Sequence, residues 1–261
     1  MSSHLFSAFR SELVFALDVS EQAGRIALGY FKSGVEVTLK YDGTPVTIAD
    51  QEVERFIRGA IQNKFPEDAM LGEEKGLSEG KSSTRRWLID PIDGTYGFAR
   101  GSHIWSVLVA LEEDQDVTLG VVHVPATQET YWAQKGKGAW KNGKQLRVSS
   151  YANMSEAQFN FGAINRIQSK GYWPGFERII KTTGRQRGYG DYLGFTSVLE
   201  GRAEANLEVG LYPWDLAPFK ILVLEAGGAY SDLAGGQSVH TGNCLISNGI
   251  LHAEFLKLLA P

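Results

Sequence analysis

Asp90-Pro91-Ile92-Asp93-Gly94-Thr95 sets two carboxylates, a glycine and a hydroxyl side by side within six residues. Trp87, Leu88 and Ile89 before it read as a short buried strand, Pro91 blocks that strand's continuation, and Gly94-Thr95 opens a helix. Carboxylates at a strand end suit hard divalent cations, while a phosphate suits both the cations and the free N–H groups of a helix start. Metal or phosphate binding is the chemistry on offer. Two further acidic positions read more blandly when taken alone. Glu73-Glu74 ends a brief apolar run, as a solvated turn does, and Asp50 stands in the first turn of a helix, where an acid is stabilising.

The surrounding chain must hold such a site. Its 261 residues can bury a substantial core as one large domain or two tightly joined halves. Hydrophobic and charged fractions of 43% and 21% leave little room for disorder. A formal charge of −4, with cations scattered among acids, argues against nucleic acid or an anionic membrane as partner. One cysteine, Cys244, excludes an intramolecular disulfide and fits a reducing compartment. The N-terminal pattern, interrupted by Arg10 and Glu12, fits neither a signal peptide nor a spanning helix, so a cytoplasmic protein is expected.

Apolar spacing predicts a long amphipathic helix from Leu5 to Tyr30, then a half-buried strand through Val35, Val37 and Leu39. After the break at Tyr41-Asp42-Gly43-Thr44-Pro45, a second helix follows Asp50 with Val53, Phe56, Ile57, Ala60 and Ile61 inward. Lys75 to Thr84 reads as a loop. Ile104–Leu111, Val117–Val124 and Thr130–Ala133 read as antiparallel strands, followed by turns at Gly136-Lys137-Gly138 and Asn142-Gly143. Beyond Ser150, strands at Gln158–Phe161, Arg185–Tyr189 and Ala203–Leu207 alternate with helices at Gly175–Lys181, Tyr192–Glu200 and Leu216–Ala226, and a last helix spans Leu251–Leu259.

Three separated blocks carry a resemblance. Leu71-Gly72-Glu73-Glu74, Trp87-Leu88-Ile89-Asp90-Pro91-Ile92-Asp93-Gly94-Thr95, and Pro213-Trp214-Asp215-Leu216-Ala217 with Glu225-Ala226-Gly227-Gly228 resemble the signatures of the inositol monophosphatase superfamily. Its members are magnesium-dependent, lithium-sensitive phosphomonoesterases. The resemblance implies that Glu73, Asp90 and the Ile92 carbonyl hold a first Mg2+, that Asp90, Asp93 and Asp215 hold a second, and that a looser third lies near Glu73. It further implies that Gly94 and Thr95 offer N–H groups to the phosphate, and that Thr95, linked to Asp50, orients or deprotonates the attacking water. The leaving oxygen would take its proton from a water near Asp215.

Two rivals start from the same acids. Haloacid dehalogenase-type phosphatases carry Asp-x-Asp-Gly-Thr, whereas two residues separate Asp90 from Asp93 here. An EF-hand lacks its further ligand positions and final glutamate.

Arg187-Gly188-Tyr189-Gly190-Asp191-Tyr192-Leu193, Phe98-Ala99-Arg100-Gly101 and Ile104-Trp105 resemble the histidinol-phosphate phosphatases of the superfamily. Histidinol phosphate carries an ammonium and an imidazole, for which Asp191 or Glu208 is a fitting wall. Asp191 reads equally well as a helix cap after Gly190. Arg100 reads as closing over the phosphate or, preferably, as a surface ion pair; His103 and Trp105 read as pocket wall or, preferably, core. Gly97 stands where many relatives have asparagine, which bears on the local helix start and not on the metal ligands. Inositol phosphate or another small sugar or polyol phosphate is the alternative substrate, and a non-catalytic metal and phosphate sensor is the alternative of another class.

The implied fold is an α/β, layered α-β-α-β-α sandwich, one compact unit with an N-terminal α+β half (1–150) carrying most ligands and a C-terminal α/β half (151–261) carrying Asp215 and substrate walls. Relatives are commonly homodimers, an expectation extended to this chain. Asp90→Asn, Asp93→Asn and Glu73→Gln should each nearly abolish phosphate release while leaving circular dichroism and thermal unfolding close to those of the parent protein; retained turnover would remove these acids from the chemistry.

Overall fold

The computed structural model describes residues 9–34, 36–39, 45–81 and 84–260. Helix α1 (Ser11–Ser33) is followed by a small hairpin, β1 (Thr38–Leu39) and β2 (Pro45–Val46), and then by α2 (Ile48–Lys64). Strands β3 (Ala69–Gly72), β4 (Gly76–Ser78) and β5 (Arg85–Asp93) lead through the short helix α3 (Thr95–Ala99) to β6 (Ser106–Glu113). The meander continues with β7 (Asp116–Val124), β8 (Glu129–Gln134), β9 (Ala139–Lys141) and β10 (Lys144–Gln145).

The remainder comprises β11 (Gln158–Phe161), α4 (Ile164–Ser169), α5 (Trp173–Thr182), β12 (Arg185–Arg187) and α6 (Asp191–Leu199). It closes with β13 (Ala205–Val209), α7 (Pro213–Glu225), β14 (Ala229–Ser231), β15 (Asn243–Ser247) and α8 (His252–Leu259).

These elements stack as the expected α-β-α-β-α sandwich. An eight-stranded sheet in the order β10-β9-β8-β7-β6-β5-β3-β4 faces a five-stranded sheet in the order β12-β11-β13-β15-β14. Strand periodicity assigns the faces. Trp87 and Ile89 of β5 pack with Val53 and Ile57 of α2 and Leu13 of α1, whereas Leu88 packs with Leu216, Phe219 and Leu222 of α7 in the middle layer. A third cluster, including Phe159, Leu207, Phe176 and Phe255, joins the second sheet to α5 and α8. Among the described residues no helix is long and apolar enough to cross a membrane.

Several local expectations need correction. Leu5, Val35 and Tyr41 to Thr44 lie outside the described residues, and α1 begins at Ser11. Val37 and Leu39 are 45% and 72% exposed, so their alternation does not mark a half-buried strand. The hairpin pairs only within itself, Thr38 with Val46 and Leu39 with Pro45, so neither main sheet covers it. Lys75 to Thr84 is not all loop, because Gly76–Ser78 pairs antiparallel to β3. Helix α4 and strands β14 and β15 were not expected; they are short, and burial by neighbouring layers stabilises them more than local pattern does.

Pro91 does not end its strand. Asp90 pairs with Leu108 and Asp93 with Ser106, so three residue steps on β5 face two on β6. The surplus residue is a β-bulge, which absorbs the missing N–H of proline and redirects the strand end.

Helix α7 approaches the first sheet at Gly120, where an added Cβ would lie 2.7 Å from Pro218 Cα and 2.8 Å from Ile221 Cγ2. Gly120→Ala should therefore lower stability by about 1–3 kcal/mol. Gly59→Ala, on an open face of α2 with no atom within 4 Å, should raise it by about 0.4–1 kcal/mol. Denaturant unfolding of the two variants measures both signs.

Candidate active site

The bulge of β5, the start of α3 and the first turns of α6 and α7 meet at one cavity of about 180 Å³. Glu73, Asp90, Asp93, Thr95, Asp191 and Asp215 line it, together with the Ile92 and Gly94 positions. Asp90 keeps the face of Leu88, two residues earlier, and so turns toward the middle layer, where Asp215 sits in the first turn of α7.

Backbone N–H groups hold these acids. Ile92 N donates to Asp90 Oδ1 at 3.0 Å across the bulge. Tyr192 N, from the first turn of α6, donates to Asp93 Oδ2 at 3.0 Å, and Ser106 Oγ donates to the same oxygen at 3.1 Å. Tyr212 N donates to Asp215 Oδ2 at 2.8 Å. Glu73 follows β3 in a turn held by Glu54 of α2: Glu74 N and Lys75 N donate to Glu54 Oε2 and Oε1 at 2.6 and 3.1 Å. Arg58 anchors Glu54 in turn through a buried pair at 2.6 Å. Sequence reasoning missed Glu54; its signal was an acid on the inward face of α2, four residues before an arginine.

Asp50 serves two purposes at once. Its Oδ2 accepts from Thr47 N at 2.8 Å and Thr47 Oγ1 at 2.6 Å, closing a capping box at the start of α2. Its Oδ1 lies 3.0 Å from Thr95 Oγ1, which is also 3.0 Å from the Ile92 carbonyl. The single hydroxyl proton can serve one acceptor at a time.

Electrostatics are severe here. Asp90, 2% exposed, is pushed well above the usual carboxylate range by burial and then by the charges of Glu73, Asp215 and Asp93. Burial, with Asp191 and Asp215, does the same to Asp93. Burial raises Asp215 to about 7 against the opposing Tyr212 hydrogen bond. Burial also raises Asp50. Among the described residues no three acid, His or Cys side chains are gathered into a formed metal-holding group. The carboxylates ring a common space, and Asp90 and Asp215 come within hydrogen-bonding reach of each other, a contact that favours a proton on Asp90. Their chemistry fits hard cations: all-oxygen donors, backbone-pinned, around a space large enough for ions that retain water.

The substrate-wall candidates separate. Gly94, at φ +87°, adopts a conformation suited to glycine, and a Cβ there would lie 2.9 Å from the Ile104 carbonyl and 3.3 Å from Asp191 Cγ. Asp191 makes no side-chain cap on α6; its backbone is left-handed, φ +53°, and its carboxylate faces the cavity. The mouth leaves it exposed while the surrounding protein still raises its pKa by desolvation. Glu208, 5% exposed, lies behind the wall, and burial followed by the charge of Asp191 pushes it up to about 8. Among the described residues its Oε1 has no hydrogen-bond partner.

Arg100 is not brought into the cavity and has no acidic partner among the described residues. It bonds Tyr96 Oη and lies 5.0 Å from that ring's centre. Trp105 is core, packed on Phe98, and His103 lies tilted against Phe31. A Cβ at Gly97 would lie 3.2 Å from the Ile104 carbonyl, so the 102–104 turn sits closer than a larger residue allows. Arg166 of α4, the one cation lining the cavity among the described residues, was not anticipated, nor were Tyr212 and Trp214 as a stacked aromatic rim.

The model of the inositol monophosphatase family matches residues 10–260. The chain belongs to that family. It is 37% identical to a histidinol-phosphatase of Mycobacterium tuberculosis over 95% of this chain and 97% of that protein. A histidinol-phosphatase of Chlorobaculum parvum is 39% identical over 90% and 91%. A fructose-1,6-bisphosphatase/inositol-1-monophosphatase of Thermotoga maritima is 37% identical over 82% of each chain. Among solved structures, the extragenic suppressor protein suhB from Bartonella henselae superposes with a TM-score of 0.89 at 26% identity, covering 96% of this chain and 98% of the other. An IMPase of Thermotoga maritima superposes at 0.86 with 33% identity, covering 96% and 97%.

The raised Glu208 gives a signed prediction. Its native pKa of about 8 exceeds the ordinary value, so the folded state holds an extra proton and the associated stability is present at low pH. That stability is lost as pH rises through about 8. Thermal unfolding of metal-free protein should fall over this window, and Glu208→Gln should flatten the fall. An identical slope in the variant would place Glu208 in an ordinary environment.

Proposed function

We propose that this protein hydrolyses histidinol phosphate to histidinol and phosphate, using two to three Mg2+ ions held by Glu73, Asp90, the Ile92 carbonyl, Asp93 and Asp215. As a member of the inositol monophosphatase family it is a metal-dependent phosphoric monoester hydrolase. The observation that carries the catalytic reading is the convergence on one cavity of those acids and of Thr95, whose hydroxyl lies 3.0 Å from Asp50 Oδ1 behind it.

Bound ions would cancel charge on the phosphoryl oxygens, activate a water and stabilise the leaving alkoxide. The protein's own groups supply position and proton transfer. Thr95 Oγ1, held by Asp50 Oδ1, is placed to take a hydrogen bond from an attacking water and pass a proton toward the buried carboxylate. Gly94 and Thr95 present the start of α3 to the phosphate. A sensor has no use for such a base, which counts against the non-catalytic alternative.

The leaving-group side supports a cationic alcohol. Asp191 faces the cavity in a left-handed conformation that caps nothing, and Glu208 stands behind it with an unpartnered oxygen. An ammonium or imidazolium relieves both; a neutral polyol relieves less. Relatives named histidinol-phosphatase agree with this choice. Inositol phosphate is the second reading, favoured by Arg166 on the same wall, whose donors suit hydroxyls.

Phosphate release should require Mg2+ and cease in excess chelator, and kcat/KM should be higher for histidinol phosphate than for inositol 1-phosphate. Asp191→Asn should reduce that preference by about 10-fold or more while sparing the polyol ester. A clear preference for inositol 1-phosphate in the parent enzyme would overturn the substrate assignment, and full activity in chelator the metal assignment.

A further inference from the structure

Beside the catalytic cavity lies a second hollow of about 540 Å³, lined by residues that include Arg166, Lys170, Tyr172, Tyr212 and Asn243. The two share a wall made of Arg166, Gly210, Leu211 and Tyr212. Their polarities are opposite. Among the described residues five acids line the catalytic cavity and none lines the hollow, although the chain as a whole carries a charge of −4.

The two cations of the hollow stand one helical turn apart. Arg166 lies within α4 and Lys170 caps its C-terminus, an i,i+4 spacing at which like charges repel. The helix end accounts for one cation there; it does not account for two on the same hollow. Arg166 Nη1 donates to the Gly210 carbonyl at 3.0 Å, which fixes the guanidinium on the ridge and leaves most of its five donors for other partners. The floor is built of backbone: Gly210 N and Leu211 N both donate to the Gly242 carbonyl, at 2.7 and 3.0 Å. Tyr212 stacks on Trp214 of the catalytic rim, ring centres 4.9 Å apart, so the ridge between the spaces is itself braced.

A positive hollow with a fixed floor, opening beside a phosphate-ester site, has the character of a subsite for a second negative group. We propose that it binds a carboxylate carried by the alcohol portion of a phosphate monoester, so that phosphorylated hydroxy acids form a further substrate class. This rests on the phosphomonoesterase reading above. Arg166 and Lys170 supply the attraction, and the ammonium of a cationic alcohol is turned away from them toward Asp191. The two substrate classes thus use opposite sides of one ridge.

The test compares matched esters that differ in one carboxylate: 3-phosphoglycerate against glycerol 3-phosphate, and 6-phosphogluconate against sorbitol 6-phosphate for longer reach. In the Mg2+-loaded parent enzyme at least one carboxylate ester should have the higher kcat/KM of its pair. Lys170→Ala, and more strongly Lys170→Glu, should lower kcat/KM for that ester by about 3- to 10-fold, mainly through KM, with the neutral ester unchanged. Equal effects on both esters, or none on either, would overturn the subsite. Malonate that competes with neutral esters in the parent but not in Lys170→Glu, with no carboxylate-ester preference, would assign the hollow to a free anion and overturn the substrate claim. Hydrolysis of neutral esters without any carboxylate preference refutes this inference alone; no hydrolysis of any ester, histidinol phosphate included, refutes the catalytic reading and this inference with it.

Discussion

Four aspartates, two buried and two half-buried, crowd in and beside a small cavity and repel one another, and the fold must hold them there. It does so with backbone N–H groups. Thr47 N serves Asp50, Ile92 N serves Asp90, Tyr192 N serves Asp93 and Tyr212 N serves Asp215. Each donor belongs to a helix start or a bulge, where N–H groups lack partners in regular structure. One device therefore satisfies orphan donors and pins the acids. Burial still wins over these bonds, since the carboxylates remain shifted toward their protonated forms. A site in that condition has a standing affinity for positive charge.

The layered architecture follows from the same need. Helix starts from the outer and the middle layer must arrive at neighbouring points. Residue alternation on β5 sends Trp87 and Ile89 to the outer helices and Leu88 to the middle layer, and Asp90 continues the second direction. Gly120 lets α7 come close enough to the first sheet for Asp215 to complete the ring. Glu54 and Arg58 tie the turn after β3 to α2, which brings Glu73 in from the remaining side.

Charge also divides the space around the ridge. Asp191 and Glu208 stand on the acidic side, and Arg166 occupies the boundary while lowering the pKa of both. Arg166 opposes the upward shift that desolvation imposes on these acids without overcoming it, and it simultaneously gives the neighbouring hollow its positive character. A single side chain thus contributes to both polarities.

Much of this was legible without coordinates. The meandering strands and the long first helix follow from spacing, periodicity and turn residues, because these are local properties of the chain, and the three acidic blocks were joined by their resemblance to a known family. Asp50 could be placed at a helix start, but its second partner Thr95 is 45 residues away and only packing brings them to 3.0 Å. Pro91 looked like a strand end because proline lacks an N–H; pairing with β6 converted it into a bulge. Asp191 could equally be cap or wall until its left-handed backbone left α6 uncapped and turned the carboxylate inward. Arg166 and Glu54 carried no motif, since their importance lies in what approaches them from distant elements. The sequence by itself determined the donor chemistry and the strand and helix periods; tertiary structure decided which donors share a cavity and which charges face each other. Local sterics and hydrophobic period act within a few residues, whereas electrostatic grouping depends on how buried layers superimpose.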